Sequence, residues 1–249
     1  MIIKIQKFFL DLLFPKFCFN CQKEGSYLCS DCFSMLEISE IHQKYSTKSL
    51  TDLYFALPYQ NIFVKKLIQR FKYEPFIKEL AETLALLIIT HFQLLDNKPN
   101  LANFILIPIP LNEKRLKWRG FNQAEEIGKE LSKFLNPVRD SGNKESLQKE
   151  NISNGVKVPL VSNCLVRVKN TYPQVELTVE ARKENVKDIF ICQNKKEIFG
   201  KKILLVDDVY TTGATMEEAA RVLKEAGVKE VWGVVVARAQ PGEDKFENI

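Results

Sequence analysis

The chain has 249 residues, enough to bury an α/β core of ordinary size and still carry a small accessory module. Lys and Arg total 36 against 31 Asp and Glu, and the resulting charge of +5 is too small over such a surface to establish a nucleic-acid partner by itself. Of six cysteines, Cys18, Cys21, Cys29 and Cys32 form two tight pairs; this clustering excludes the scattered framework of a disulfide-stabilised secreted domain and favours metal ligation in a reducing cytoplasm.

Residues 1–17 set Ile2, Ile3, Ile5, Phe8, Phe9, Leu12 and Leu13 among Lys4, Lys7 and Asp11. That amphipathic pattern has no unbroken apolar core and no small-residue cleavage site, so it predicts a docking helix rather than a signal peptide. The two Cys-x-x-Cys knuckles that follow each present two thiolates to one side of a tight turn, and four sulfurs close a tetrahedral Zn²⁺ site. Redox chemistry is the alternative, but matched pairs this close favour structural zinc. Phe17, Phe19 and Tyr27 would pack locally or stack on bases. Residues 34–49 are polar and aperiodic, a connection that places the module boundary near residue 45. The module is expected to unfold first when metal is removed, because the rest of the chain has a core of its own.

Residues 54–59 form a short apolar segment, and Phe63, Leu67 and Phe71 recur at helical spacing over 62–71. A second helix is predicted over 77–92; Glu79, Glu82 and His91 leave only 84–89 uninterrupted, far short of the roughly 20 residues that span a bilayer. His91 reads as a residue at the edge of the core. Residues 104–109 (FILIPI) read as a buried parallel strand closed by Pro110, followed by a loop and a helix over 123–134. Residues 136–157 are rich in Ser, Asn, Lys and Glu without apolar period and read as a flexible insertion. Further strands are expected over 160–168, 203–206 and 231–237, with a helix over 215–226. Alternating strands and helices imply a parallel α/β sheet. Cys164 and Cys192 read as buried thiols, and neither His42 nor His91 suggests catalysis.

The strongest chemical signal is ILLVDDVYTTGAT, residues 203–215. Its apolar run is a strand buried on both faces, and the carboxyl end of such a strand is where open α/β sheets place ligands. Thr211, Thr212, Gly213, Ala214 and Thr215 make a loop of small side chains whose N–H and hydroxyl groups can close on a phosphate, with a helix N-terminus behind it. Asp207 and Asp208 beside that cradle suit sugar hydroxyls or the outer shell of a Mg²⁺ ion, so the ligand should carry phosphate and ribose together. After the strand at 104–109 come Lys114, Arg115, Lys117 and Arg119, a basic loop suited to a pyrophosphate group.

The segment 203–215 resembles the signature with which type I phosphoribosyltransferases bind phosphoribosyl pyrophosphate (PRPP). The resemblance implies that the loop 211–215 holds the 5-phosphate and that Asp207 and Asp208 contact the ribose hydroxyls. RGFNQAE, 119–125, narrows the likeness to the ComF family, as does PQVELTVEARKENVKDIF, 173–190, with Gln174, Leu177, Arg182 and Asn185 on the family's pattern. Related transferases use the latter segment as a mobile cover, so Arg182 is expected to help neutralise pyrophosphate, a plain surface arginine being the alternative. The four-cysteine module stands at the same place in ComF proteins, whereas the insertion is a departure from them.

The expected fold is therefore a type I phosphoribosyltransferase-like parallel sheet flanked by helices over 46–249, with a docking helix and zinc ribbon over 1–45. The resemblance implies a cytoplasmic protein that binds PRPP with Mg²⁺ and acts in competence and DNA uptake, with single-stranded DNA and other competence proteins as partners. A metabolic phosphoribosyltransferase for nucleotide synthesis or salvage, and a PRPP-sensing regulator without turnover, are the alternatives. No segment identifies the acceptor.

Overall fold

The computed structural model describes residues 14–136, 157–169 and 187–239. Residues 1–13 of the expected docking helix, 137–156 of the insertion and 173–186 of the mobile cover, Arg182 among them, lie outside the described residues; Phe17, at the end of the expected docking helix, forms a bridge to Glu24, and Phe190, at the end of the cover, begins β4. In chain order the elements are α1 (Ser30–Ser34), β1 (Asp52–Pro58), α2 (Ile62–Lys72), α3 (Leu80–Leu94), β2 (Phe104–Pro108), α4 (Glu113–Arg119), α5 (Gln123–Leu135), β3 (Leu165–Arg167), β4 (Phe190–Cys192), α6 (Lys195–Ile198), β5 (Lys202–Val206), β6 (Val209–Tyr210), α7 (Ala214–Glu225) and β7 (Glu230–Arg238).

The main sheet runs β1-β7-β5-β2, every pairing parallel, and β6 adds to β7 beyond the end of β5. Its strands are continuous apolar runs because both faces are covered. Alternate side chains divide between two layers. Leu106, Leu204, Val206 and Val234 pack with Leu67, Phe71, Leu84 and Ile127 of α2, α3 and α5. Ile105, Ile107, Ile203, Leu205 and Val235 face Met216, Ala219, Ala220 and Leu223 of α7. Among the described residues no helix is long and apolar enough to cross a membrane.

Two expectations about elements are corrected. The basic segment after Pro110 is a helix: the Asn112 side chain accepts from the N–H of Lys114 to start α4, and Gly120 in the left-handed region ends it. No residue of α4 is buried, so it carries no apolar period by which to be recognised. The strand expected over 160–168 shrinks to β3, which pairs antiparallel with β4 in a separate two-stranded sheet; Ser162 and Asn163 break the run, leaving Leu160 a lone bridge to Leu106. His91 is buried rather than at the edge of the core, its Nδ1 donating to the Ser39 carbonyl at 2.6 Å. Cys164 is buried and Cys192 half-buried.

The cysteine module is not an appendage with a separate interior. Cys18, Leu28, Cys29, Cys32 and Ile38 belong to the same buried cluster as Leu67, Phe71 and Leu84. The polar connection after it is strapped to the sheet as well. Ser39 donates its N–H to Ala56 O (2.9 Å), Asp52 accepts from the Tyr45 N–H (3.1 Å) and lies 3.0 Å from His42 Nε2, and Glu217 on α7 accepts from the Ser49 N–H (2.9 Å) and the Thr47 hydroxyl.

Candidate functional site

A cavity of about 320 Å³ opens at the carboxyl ends of β2 and β5, where the sheet order leaves space between diverging connections. Thr211, Thr212, Gly213, Ala214 and Thr215 all line it. Gly213 is the N-cap of α7 with φ of 78°, and a Cβ there would run into the Tyr210 hydroxyl. Only glycine therefore lets the chain turn into α7 with its first N–H groups facing the cavity.

Asp207 and Asp208 enter where β5 ends, and they are not equivalent. Asp208 is buried, and its Oδ1 lies 2.7 Å from Nζ of Lys72, the last residue of α2. Asp207 accepts the N–H of Asp208 at 2.9 Å. Burial and the neighbouring Asp208 charge push the Asp207 carboxyl up to about 7, against the pull of Lys72 and Arg167. Burial alone would lower the Lys72 ammonium, yet the charges of Asp208 and Asp207 hold it above its ordinary range.

Arg115 and Arg119, four apart on α4, share the helix face that lines the cavity; Lys114 and Lys117 do not line it. Arg119 donates from Nη1 to Gln123 Oε1 at 3.0 Å, while its Nε is buried without a hydrogen-bond acceptor among the described residues. Such a donor is costly unless a ligand oxygen completes it. Two cations were not legible as site residues. Lys72 arrives from α2 and Arg167 from β3, where burial and the Arg115 charge push its guanidinium down to about 10. Four cations thus face two carboxylates, a balance that favours a multiply charged anion bearing hydroxyls. Lys72 simply ends a helix and Arg167 stands alone in a short strand, so neither spacing nor composition marks them.

The RGFNQ segment joins these parts. Asn122 caps α5 by accepting from the Ala124 N–H (3.2 Å) and donates to Ile109 O (3.0 Å); Gln123 Nε2 donates to Phe71 O (3.4 Å); and the Phe121 ring packs on Phe71 with centroids 5.5 Å apart. It therefore fixes α4, which carries the arginines, against the end of α2, which carries Lys72.

At the cysteine module the ligand atoms of Cys18, Cys21, Cys29 and Cys32 all lie within 4.8 Å of one another. A tetrahedral thiolate site with bonds of about 2.3 Å separates its sulfurs by roughly 3.8 Å, so the cluster fits a zinc ion. Asn20 Nδ2 donates to Cys32 Sγ at 3.4 Å, a contact that would offset thiolate charge.

Residues 149–248 match the phosphoribosyl transferase domain. The chain is similar to Competence protein F of Haemophilus influenzae, 34% identical over 135 residues, 53% of this chain and 50% of that protein. It is similar also to Competence protein ComFC of Bacillus subtilis, 32% over 126 residues, 50% of this chain and 40% of that protein. The DNA utilization protein YhgH of Escherichia coli K12 is 29% identical over 129 residues, 51% of this chain and 47% of that protein. The chain thus spans about half the length of the curated relatives it matches.

Proposed function

We propose that the chain is a phosphoribosyltransferase-like protein of the ComF family, as its similarity to competence protein F and ComFC supports, and that the cavity at the carboxyl edge of its sheet binds PRPP or a closely related ribose phosphate. One observation carries this reading: a backbone phosphate cradle, an acidic pair and the guanidinium groups of Arg115, Arg119 and Arg167 line a single cavity. The 5-phosphate sits on the loop from Thr211 to Thr215, Asp207 and Asp208 accept the ribose hydroxyls, and the arginines take the pyrophosphate, with Arg182 joining them when the cover closes. Asp207 and Asp208 would also stand in the outer shell of a Mg²⁺ ion bound with the ligand, which would offset pyrophosphate charge.

In turnover the bond between ribose C1 and the pyrophosphate oxygen breaks through an oxocarbenium-like state, its electron pair leaves with pyrophosphate, and an acceptor bonds to C1 as it loses a proton. Arg115, Arg119 and Arg167 stabilise the charge that grows on the leaving group. Zinc at the four cysteines is structural.

The biological setting we propose is competence and DNA uptake, which the relatives' names, competence protein and DNA utilization protein, support; we propose further that the protein acts in the cytoplasm, with single-stranded DNA and other competence proteins as partners. Purified protein is incubated with PRPP, Mg²⁺ and either single-stranded DNA or a panel of nucleobases, and pyrophosphate release is followed. DNA-dependent release supports this reading. Release with a base alone makes the protein a metabolic transferase, and tight PRPP binding without release makes it a sensor.

A further inference from the structure

We propose that Lys72 is a positioning residue of this pocket: its ammonium holds the Asp208 carboxylate in the place from which it receives a sugar hydroxyl. The proposal rests on the phosphoribosyl reading above and adds to it a residue from outside the phosphate signature.

Lys72 Nζ lies 2.7 Å from Asp208 Oδ1, and both side chains are nearly buried, with 15% and 7% of their surface exposed. A buried ammonium and a buried carboxylate are each costly alone, and together they are tolerated only in good geometry. This pair lines the cavity, at the strand end that delivers the acidic pair.

The two residues that flank Lys72, Phe71 and Tyr73, are both held by one segment. Gln123 donates to Phe71 O, Phe121 packs on the Phe71 ring, and the Arg119 guanidinium stands 5.5 Å from the Tyr73 ring centroid. The residues on either side of Lys72 are thus held by the RGFNQ segment, to which Arg119 belongs. Its arrangement sets the distance between the cations that meet the anion and the cation that meets Asp208. Asp207 has no comparable ion pair among the described residues, so the two acids are held differently: Asp208 by the Lys72 ammonium, and Asp207 by the backbone N–H of Asp208.

A double-mutant cycle tests this, with PRPP and Mg²⁺ titrated calorimetrically into the full chain. Lys72→Met should weaken binding at least tenfold, Lys72→Arg should keep affinity within about threefold, and Lys72→Met in an Asp208→Asn background should cost less than about twofold further. Equal affinity of the parent and Lys72→Met overturns the proposal. So does a Lys72→Met loss of full size in the Asp208→Asn background, because Lys72 would then meet the ligand itself. If Lys72→Met does not fold, Asp208→Glu takes its place; unchanged affinity with the carboxylate moved by a methylene overturns the proposal. A parent protein that binds no PRPP overturns the phosphoribosyl reading instead, so the two failures are told apart.

Discussion

The hydroxyls of Tyr45 and Tyr210 lie 3.1 Å apart, joining the segment that leaves the cysteine module to the strand that leads into the loop 211–215. Tyr210 is buried, and its hydroxyl fills the space beside Gly213. Tyr45→Phe leaves that hydroxyl short of a partner, and we expect a cost of about 1 kcal/mol in stability. PRPP affinity should fall by a few-fold while the zinc content is unchanged. Urea denaturation and calorimetric titration measure the two effects.

Asp207 carries a stability cost that can be read against pH. Burial and Asp208 raise its carboxyl pKa, so the folded chain keeps a proton that the unfolded chain releases above its ordinary value of about 4. Stability contributed at this site therefore falls as pH rises from about 4 through about 7. Asp207→Asn removes that slope. The variant should match the parent near pH 4 and melt higher at pH 8, by roughly 2–4 °C for each 1 kcal/mol gained, while losing PRPP binding. Thermal melts across pH check the sign.

Gly213 should tolerate less than its neighbour. Valine at 213 meets Tyr210 and is strained at positive φ, whereas serine at 214 adds one small group to a helical position. Gly213→Val is expected to weaken PRPP binding at least tenfold and Ala214→Ser by less than threefold. Direct titration of both variants separates a cradle from an ordinary helix cap.

Much of the architecture was legible because each element announced itself locally. Phe63, Leu67 and Phe71 mark α2, FILIP marks a strand buried on both faces, and the contiguous segment from Ile203 to Thr215 contains strand, acids, loop and helix start together. What was not legible depends on tertiary approach. Lys72 lies 136 positions before Asp208, and Arg167 enters from a strand of three residues. Helix α4 escaped because it is short and none of its residues is buried, and the cysteine module looked independent because a pattern of ligands says nothing about which core its apolar residues join.

That shared core changes what metal removal should do. Structural zinc supplies on the order of 10 kcal/mol in comparable peptides. Cys18, Cys29 and Cys32 belong to one buried cluster with Leu67, Phe71 and Leu84 of α2 and α3, so chelation should lower the midpoint of one cooperative transition rather than melt a ribbon ahead of the domain. One Zn²⁺ per chain is expected by metal analysis. Purified chain without zinc, with all four thiols freely reactive under native conditions, would contradict the site.

The central claim is that the cavity is a phosphoribosyl site, and calorimetric titration of the full chain with PRPP and Mg²⁺ tests it most directly. Saturable binding at one ligand per chain, weakened at least tenfold when Asp207 and Asp208 are both changed to Asn in a variant that still melts cooperatively, is the predicted result. No binding by the parent, or equal binding by the parent and the doubly substituted chain, would contradict it.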